Sequence, residues 1–354
     1  MEKTISQITI TNKEIGRQTL AHLNNLTKPI GSLGRLEELA VQIAEITDEP
    51  FPNVSPPVSI VFAADHGIAL EGVSAYPQEV TAQMAANFLS GGAGINVLTN
   101  QIKGQFVLVD IGIASELKGS GYINEKIRYG TANFAKESAM TKGQAVKAIE
   151  AGIKVTTNAI SNGANSVILG EMGIGNTTSS SAILAILSGE AVENVVGPGT
   201  GISEEKLLNK QQVIKKALMD RNPDPNDVLD ILSKVGGLEI AGMTGAILGA
   251  ASKKTPLIID GFISTVSAVL AIRLAPNVRN YLIFSHQSQE AGHGIALKML
   301  EAKPLLDLEL RLGEGTGAAL AFPLVQSSVH VLKEMATFTG AGISITEKSE
   351  DLEN

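Results

Sequence analysis

Five short, continuous apolar runs constrain this chain more than anything else in it. VSIVFAAD ends at Asp65, FVLVD at Asp110, SVILGE at Glu171, PLIID at Asp260 and YLIFS at Ser285. None alternates apolar with polar residues, as a strand with one wet face would. Between them lie stretches of helical character, such as GQAVKAIEAGIKVTTNAI and FISTVSAVLAIRLA. Val/Ile runs separated by helices predict an α/β fold, a Rossmann-like parallel sheet with helices on both faces. In such folds function collects at the carboxyl edge of the sheet. Each run finishes there in Asp, Glu or Ser, although each of those residues could equally cap the helix that follows.

The chain ends read differently. In GSLGRLEELAVQIAEI the apolar residues Leu33, Leu36, Leu39, Ala40, Ile43 and Ile46 recur at helical spacing, and Pro29, Gly31 and Ser32 punctuate the start. DEPFPNVSPP, from Asp48 to Pro57, carries four prolines in ten residues and reads as a linker. SSVHVLKEMATF predicts a helix that returns to the N-terminal helices. The expected organisation is therefore residues 1–57 as the N-terminal part of a small helical domain, 58–325 as a large α/β catalytic domain, and 326–354 as the C-terminal part of the small one.

Composition removes several function classes. The 354 residues are 44% hydrophobic, enough for one large core with a small subdomain. A net charge of −8 argues against a nucleic-acid footprint, without excluding an anionic small molecule at a locally positive site. With no cysteine there is no disulfide, thiolate zinc site or cysteine nucleophile. Met1 to Glu14 shows no signal-peptide pattern, and no run approaches the ~18 apolar residues of a membrane span. The expectation is a cytoplasmic protein.

The richest stretch is GEMGIGNTTSSS, from Gly170 to Ser181. It nearly matches a P-loop: Gly170, Gly175 and Thr177 fit, but Asn176 stands where the lysine belongs. A Walker-type NTPase loses support, while the anion-binding physics of converging backbone N–H groups at a helix start survives. A second loop, GPGTG from Gly197 to Gly201, follows Val195-Val196, read as a short strand, and precedes a helix capped by Ser203. Two strand–glycine loop–helix junctions so close together favour a phosphate site. No G-x-G-x-x-G follows a strand, which argues against a dinucleotide enzyme. His286, Glu290 and His293 in SHQSQEAGH lack the partner carboxylates that a metal site would need. No G-x-S-x-G elbow supports a hydrolase.

One acid stands out. In LRLGEGTGAALAFPL, Glu314 sits between Gly313 and Gly315 and leads into an apolar run. It is either the cap of a following helix or a carboxylate presented to a small ligand.

TKPIGSLGRLE (Thr27 to Glu37), AADHGI (Ala63 to Ile68), YPQEVTAQM (Tyr76 to Met84), NFLSGGAGIN (Asn87 to Asn96), GEMGIGNTTSSSA, GPGTG and RLGEGTGAAL occur in order. Together they resemble the nicotinate-nucleotide–dimethylbenzimidazole phosphoribosyltransferase family of cobalamin nucleotide-loop assembly, from about residue 20 to about residue 325. The resemblance implies a Rossmann-like large domain with a small helical domain from both chain ends, a homodimer, and no metal or other cofactor. It implies transfer of phosphoribose from nicotinate mononucleotide to dimethylbenzimidazole, with inversion to the α-ribazole phosphate. Nicotinate leaves as a neutral ring, charge builds on the ribose, and a carboxylate takes the acceptor's N–H proton. By the resemblance that base is Glu314, flanked by Gly313 and Gly315, with Glu171 supporting the cationic ribose. Gly173, Gly175, Asn176, Thr177, Thr178, Gly199, Thr200 and Gly201 would hold phosphate or ribose. Lys210 would be the phosphate counter-charge, unless it is a solvated helix lysine. Asp260 and Ser285 would line the nucleotide site. Ser74, Tyr76, Gln83 and Met84 would surround the benzimidazole, with Ser74 or Gln83 reaching a ring nitrogen.

Overall fold

The computed structural model describes residues 1–197, 199 and 201–344, which form two compact units. The larger comprises Met1–Ile10 and Ser55–Pro323, and the smaller Thr11–Val54 with the chain from Leu324 onward.

The larger unit is built on six parallel strands: β1 (Pro57–Ala64), β2 (Gln105–Gly112), β3 (Tyr122–Asn124), β4 (Ser166–Met172), β5 (Leu257–Ile259) and β6 (Leu282–Phe284). Their order across the sheet is β3-β2-β1-β4-β5-β6. All eight residues of β1 are buried, as an unbroken apolar run requires when helices cover both faces. The helices Val80–Leu89, Gly94–Gln101 and Leu238–Ser252 all pack against it. Strand order reverses between β1 and β4, so the crevice outside their carboxyl ends is the expected ligand site. Phe62 pairs with Glu171 across that junction.

Sequence and structure differ in four places. Strand β3 has only three residues, partly or fully exposed at the sheet edge, too short to show a pattern. Val195 ends the short helix Val192–Val195, so no strand precedes GPGTG. The helix Leu238–Ser252 has no apolar stripe, because every residue from Leu238 to Ala251 is buried. Finally, residues 1–10 group with the larger unit. There the Tyr281 hydroxyl donates to the Thr9 carbonyl at 3.0 Å, and the Asn277 side chain donates to the Ile8 carbonyl at 3.2 Å.

In the smaller unit, Leu23, Leu26, Ala40 and Leu332 make a core that joins both chain ends. The Lys28 ammonium and Glu37 carboxylate pair at 2.8 Å, both buried, and the Leu33 N–H also donates to Glu37. The motif TKPIGSLGRLE thus has a structural use, in which an ion pair and a backbone bond fix the turn into the helix Arg35–Thr47.

The helices Lys142–Ser161 and Leu238–Ser252 cross with backbones in close approach. A Cβ on Gly152 would lie 1.9 Å from the Gly242 carbonyl oxygen, and one on Gly245 equally close to that of Ile149. Backbone atoms cannot rotate away, so Gly152→Val should destabilise the larger unit by about 3 kcal/mol or more, measured by urea denaturation.

Candidate active site

Glu171, Asp260 and Ser285 mark the carboxyl ends of β4, β5 and β6, beside two glycine loops. Strand β4 delivers Glu171, and the loop Gly173–Gly175 follows it into the helix Asn176–Ser188. Gly175 has φ +99°, a left-handed turn that frees the helix start. Asn176 donates its side-chain amide to Glu171 Oε2. The residue that replaces the P-loop lysine therefore holds a carboxylate. Burial, with Glu239 and Asp260 nearby, pushes the Glu171 carboxyl up to about 8, against the lowering effect of the Glu314 N–H and Asn176.

Behind this loop lies a buried polar relay. His66, just beyond β1, has Nε2 within 2.6 Å of Glu239 Oε1 and Nδ1 within 3.1 Å of Ser179 Oγ. A Cβ on Gly173 would lie 2.4 Å from the Ala64 carbonyl oxygen and in contact with the His66 ring, and one on Gly175 would lie 3.3 Å from the His66 Cβ, so β1 and the residue beyond it back the loop.

Glu314 is buried in an unusual turn. Gly313, Glu314 and Gly315 have φ +80°, +63° and +94°, three left-handed residues in a row. The turn lies on β4: a Cβ on Gly170 would stand 2.0 Å from the Glu314 carbonyl oxygen. Glu314 Oε2 accepts the Ile95 N–H at 3.3 Å, at the start of the helix Gly94–Gln101. Burial raises the Glu314 pKa, as does Asp260, while the Ile95 and Gly94 amides pull it down. The result is a carboxylate easier to protonate than an exposed one, yet oriented by a helix N-terminus.

Lys210, on the helix Glu204–Arg221, is only 1% exposed, which excludes the solvated-lysine alternative. Its ammonium donates to Thr177 Oγ1 at 2.9 Å and to the Gly197 carbonyl at 3.4 Å, and so joins the two glycine loops. Burial lowers its pKa to about 8, with Glu290 opposing the shift. Gly199 (φ +55°) and Gly201 (φ +93°) give the second loop its left-handed turns, and Thr200 lies outside the described residues.

A family model described as phosphoribosyltransferase matches residues 8–343. The chain belongs to that family. A relative from Halalkalibacterium halodurans, named nicotinate-nucleotide–dimethylbenzimidazole phosphoribosyltransferase, is 50% identical over 344 residues, 97% of this chain and 96% of its own. One of the same name from Chloroflexus aggregans is 49% identical over 351 residues, 99% of each chain. The crystal structure of CobT from Thermus thermophilus superposes with a TM-score of 0.91 at 43% identity, covering 94% of this chain and all of that one.

Not every expected site residue takes the predicted place in this phosphoribosyltransferase. Glu171, Glu314, Asn176, Gly173, Gly175, Gly313 and Gly315 come together around β4, and Thr177, Gly199 and Lys210 gather beside them. Thr178 is buried inside its helix. Asp260 and Ser285 are buried, and the Ser285 hydroxyl donates to the Asp260 carbonyl at 3.3 Å. Ser74 accepts the Tyr76 N–H, Tyr76 and Gln83 are exposed, and Met84 is half-buried on the helix Val80–Leu89. The Gly94 and Ile95 amides were not among the expected site groups. The glycines of SGGAGIN, just before a helix, were their only signal. His286 and His293 are buried, and among the described residues no cluster of three or more His, Asp or Glu could hold a metal.

Because Gly170 is the seat of the Glu314 turn, Gly170→Ala should leave the protein folded by circular dichroism yet displace Glu314. If Glu314 takes part in the reaction, turnover should fall about 10²-fold, the effect of an ångström-scale misplacement.

Proposed function

We propose that this enzyme transfers the phosphoribosyl group of nicotinate mononucleotide to dimethylbenzimidazole, giving α-ribazole phosphate and nicotinate, with Glu314 as general base. The observation that carries the assignment of the base is the Glu314 turn: a buried carboxylate of raised pKa, oriented by two amides and flanked by glycines that let a flat ring approach. The full-length relatives that bear the enzyme's name support the substrates.

The chemistry follows from these groups. The pyridinium donor needs no acid, because nicotinate departs neutral at nitrogen. Positive charge builds on the ribose, where Glu171 positions it and, in its ionised form, stabilises it. As one ring nitrogen of the acceptor attacks C1′ from the opposite face, the other N–H becomes acidic and Glu314 accepts its proton. Lys210 and the loops at Gly173–Gly175 and Gly199–Gly201 hold the phosphate. Ser74, Tyr76, Gln83 and Met84 form the benzimidazole side. Asp260 and Ser285 lie behind the nucleotide side. The reading also includes a homodimer working in the cytoplasm, and no described helix is long and apolar enough to cross a membrane.

The first test is an assay with EDTA present, both substrates supplied and products separated by mass. Ribazole phosphate with equimolar nicotinate is the expected result; no product from protein that binds the nucleotide would sink the reading. Glu314→Gln should bind both substrates and lose about 10²–10⁴ in turnover. Since Glu314 acts ionised and its pKa is raised, turnover of the parent should fall with decreasing pH through a value above the ordinary 4.5. The residual activity of Glu314→Gln should lack that limb.

Lys210 is charged below its pKa of about 8, so kcat/KM for the nucleotide should decline as pH rises past it. Lys210→Met should raise KM for nicotinate mononucleotide about tenfold or more, leave KM for the base nearly unchanged, and abolish the alkaline decline.

A further inference from the structure

Asp260 follows β5 at the carboxyl edge, where a strand-end acid is expected to face a ligand. Both of its oxygens instead face backbone. Oδ2 accepts the Gly315 N–H at 3.1 Å and Oδ1 accepts the Ala318 N–H at 3.0 Å. Ala318 lies in the first turn of the helix Thr316–Glu334, so one carboxylate spans the end of the Glu314 turn and the start of that helix. The side chain is 2% exposed.

The turn needs such a clamp. A glutamate at φ +63° is disfavoured and persists only where its surroundings over-determine it. On one side β4 supplies the seat at Gly170, and Glu171 receives the Glu314 N–H. On the other side the Gly315 N–H goes to Asp260. His286 stands behind Asp260, its Nδ1 3.8 Å from Oδ1. A Cβ on Gly317 would lie 2.0 Å from that same nitrogen, so the ring packs closely against the helix start.

We propose that Asp260 is a positioning residue for the general base, clamping Gly315 and Ala318 so that the Glu314 carboxylate meets the acceptor's N–H at a fixed angle. In this role Asp260 touches neither substrate. The proposal rests on Glu314 being the base. It predicts a loss confined to turnover, whereas a buried acid that only supports the fold would lower stability and both affinities together.

The experiment is a double-mutant cycle of Asp260→Asn and Glu314→Gln, with substrate binding by calorimetry. Asparagine keeps one acceptor oxygen and turns an NH2 toward the other amide. Asp260→Asn should bind nicotinate mononucleotide and dimethylbenzimidazole within about twofold of the parent and lose about 10²-fold in kcat. In the Glu314→Gln background it should cost nothing further, since it acts through that side chain. An equal loss in both backgrounds, or a loss in KM with kcat intact, would overturn the clamp. Full turnover of Glu314→Gln alone would instead remove the base and is read separately. Should Asp260→Asn not fold, amide exchange of the unmodified enzyme decides: Gly315 and Ala318 should be protected, and exchange at open-loop rates would overturn the proposal.

Discussion

The site depends on one close backbone approach, that of the Glu314 carbonyl onto Gly170 of β4. A strand is a stiffer support than a loop, and this contact transfers its stiffness to the turn that carries Glu314. The next residue along the strand is Glu171, so a single strand end sets the positions of both acids. The pairing of Phe62 with Glu171 ties that end to β1, at the centre of the sheet. A slip of one residue would turn Glu171 to the opposite face and set a side chain beneath Glu314. The unbroken burial of β1, which fixes its register, therefore also fixes the chemistry.

Charge is distributed unevenly around this support. Glu171 is raised by Glu239 and Asp260 as well as by burial, and Glu314 is raised by burial and Asp260, so the acids strain one another. Such crowding costs stability, and it suits a site where the proposed reaction builds positive charge. A few ångströms along the chain the balance reverses. Asn176 gives its amide to Glu171, while Thr177 receives the Lys210 ammonium. Two consecutive residues at one helix start thus divide an acidic end from a basic one. The proposed donor has the same polarity, a pyridinium and ribose at one end and a phosphate at the other.

Much of this was legible in the residues, for identifiable reasons. Continuous apolar runs report strands buried on both faces, so β1, β2, β4, β5 and β6 were visible, while the three-residue edge strand β3 was not. The helix Leu238–Ser252 was silent because amphipathic periodicity needs a wet face, and it has none. Glu314 stood out because a lone acid between glycines, ahead of an apolar run, is rare on a surface. The amides that orient it did not, since a backbone N–H has no letter in a sequence. Lys210 was ambiguous for the complementary reason: its letter shows a charge, while its function depends on burial that only the packing of its helix creates.

Asp260 shows where strand-end reasoning reaches its limit. An acid at the carboxyl edge can face the ligand or face the loop that faces the ligand, and both produce the same sequence. What separates them is the count of amides within reach. A buried carboxylate has to satisfy its lone pairs, and whichever donors lie nearest claim them. Here the nearest are Gly315 and Ala318, both with left-handed or helix-start backbones whose N–H groups lack a helical partner. A left-handed turn followed at once by a helix creates such donors in a cluster, and an apolar surrounding leaves them no water. The glycines around Glu314 therefore do two things at once: they let the turn form, and they create the amides that bind Asp260 to it.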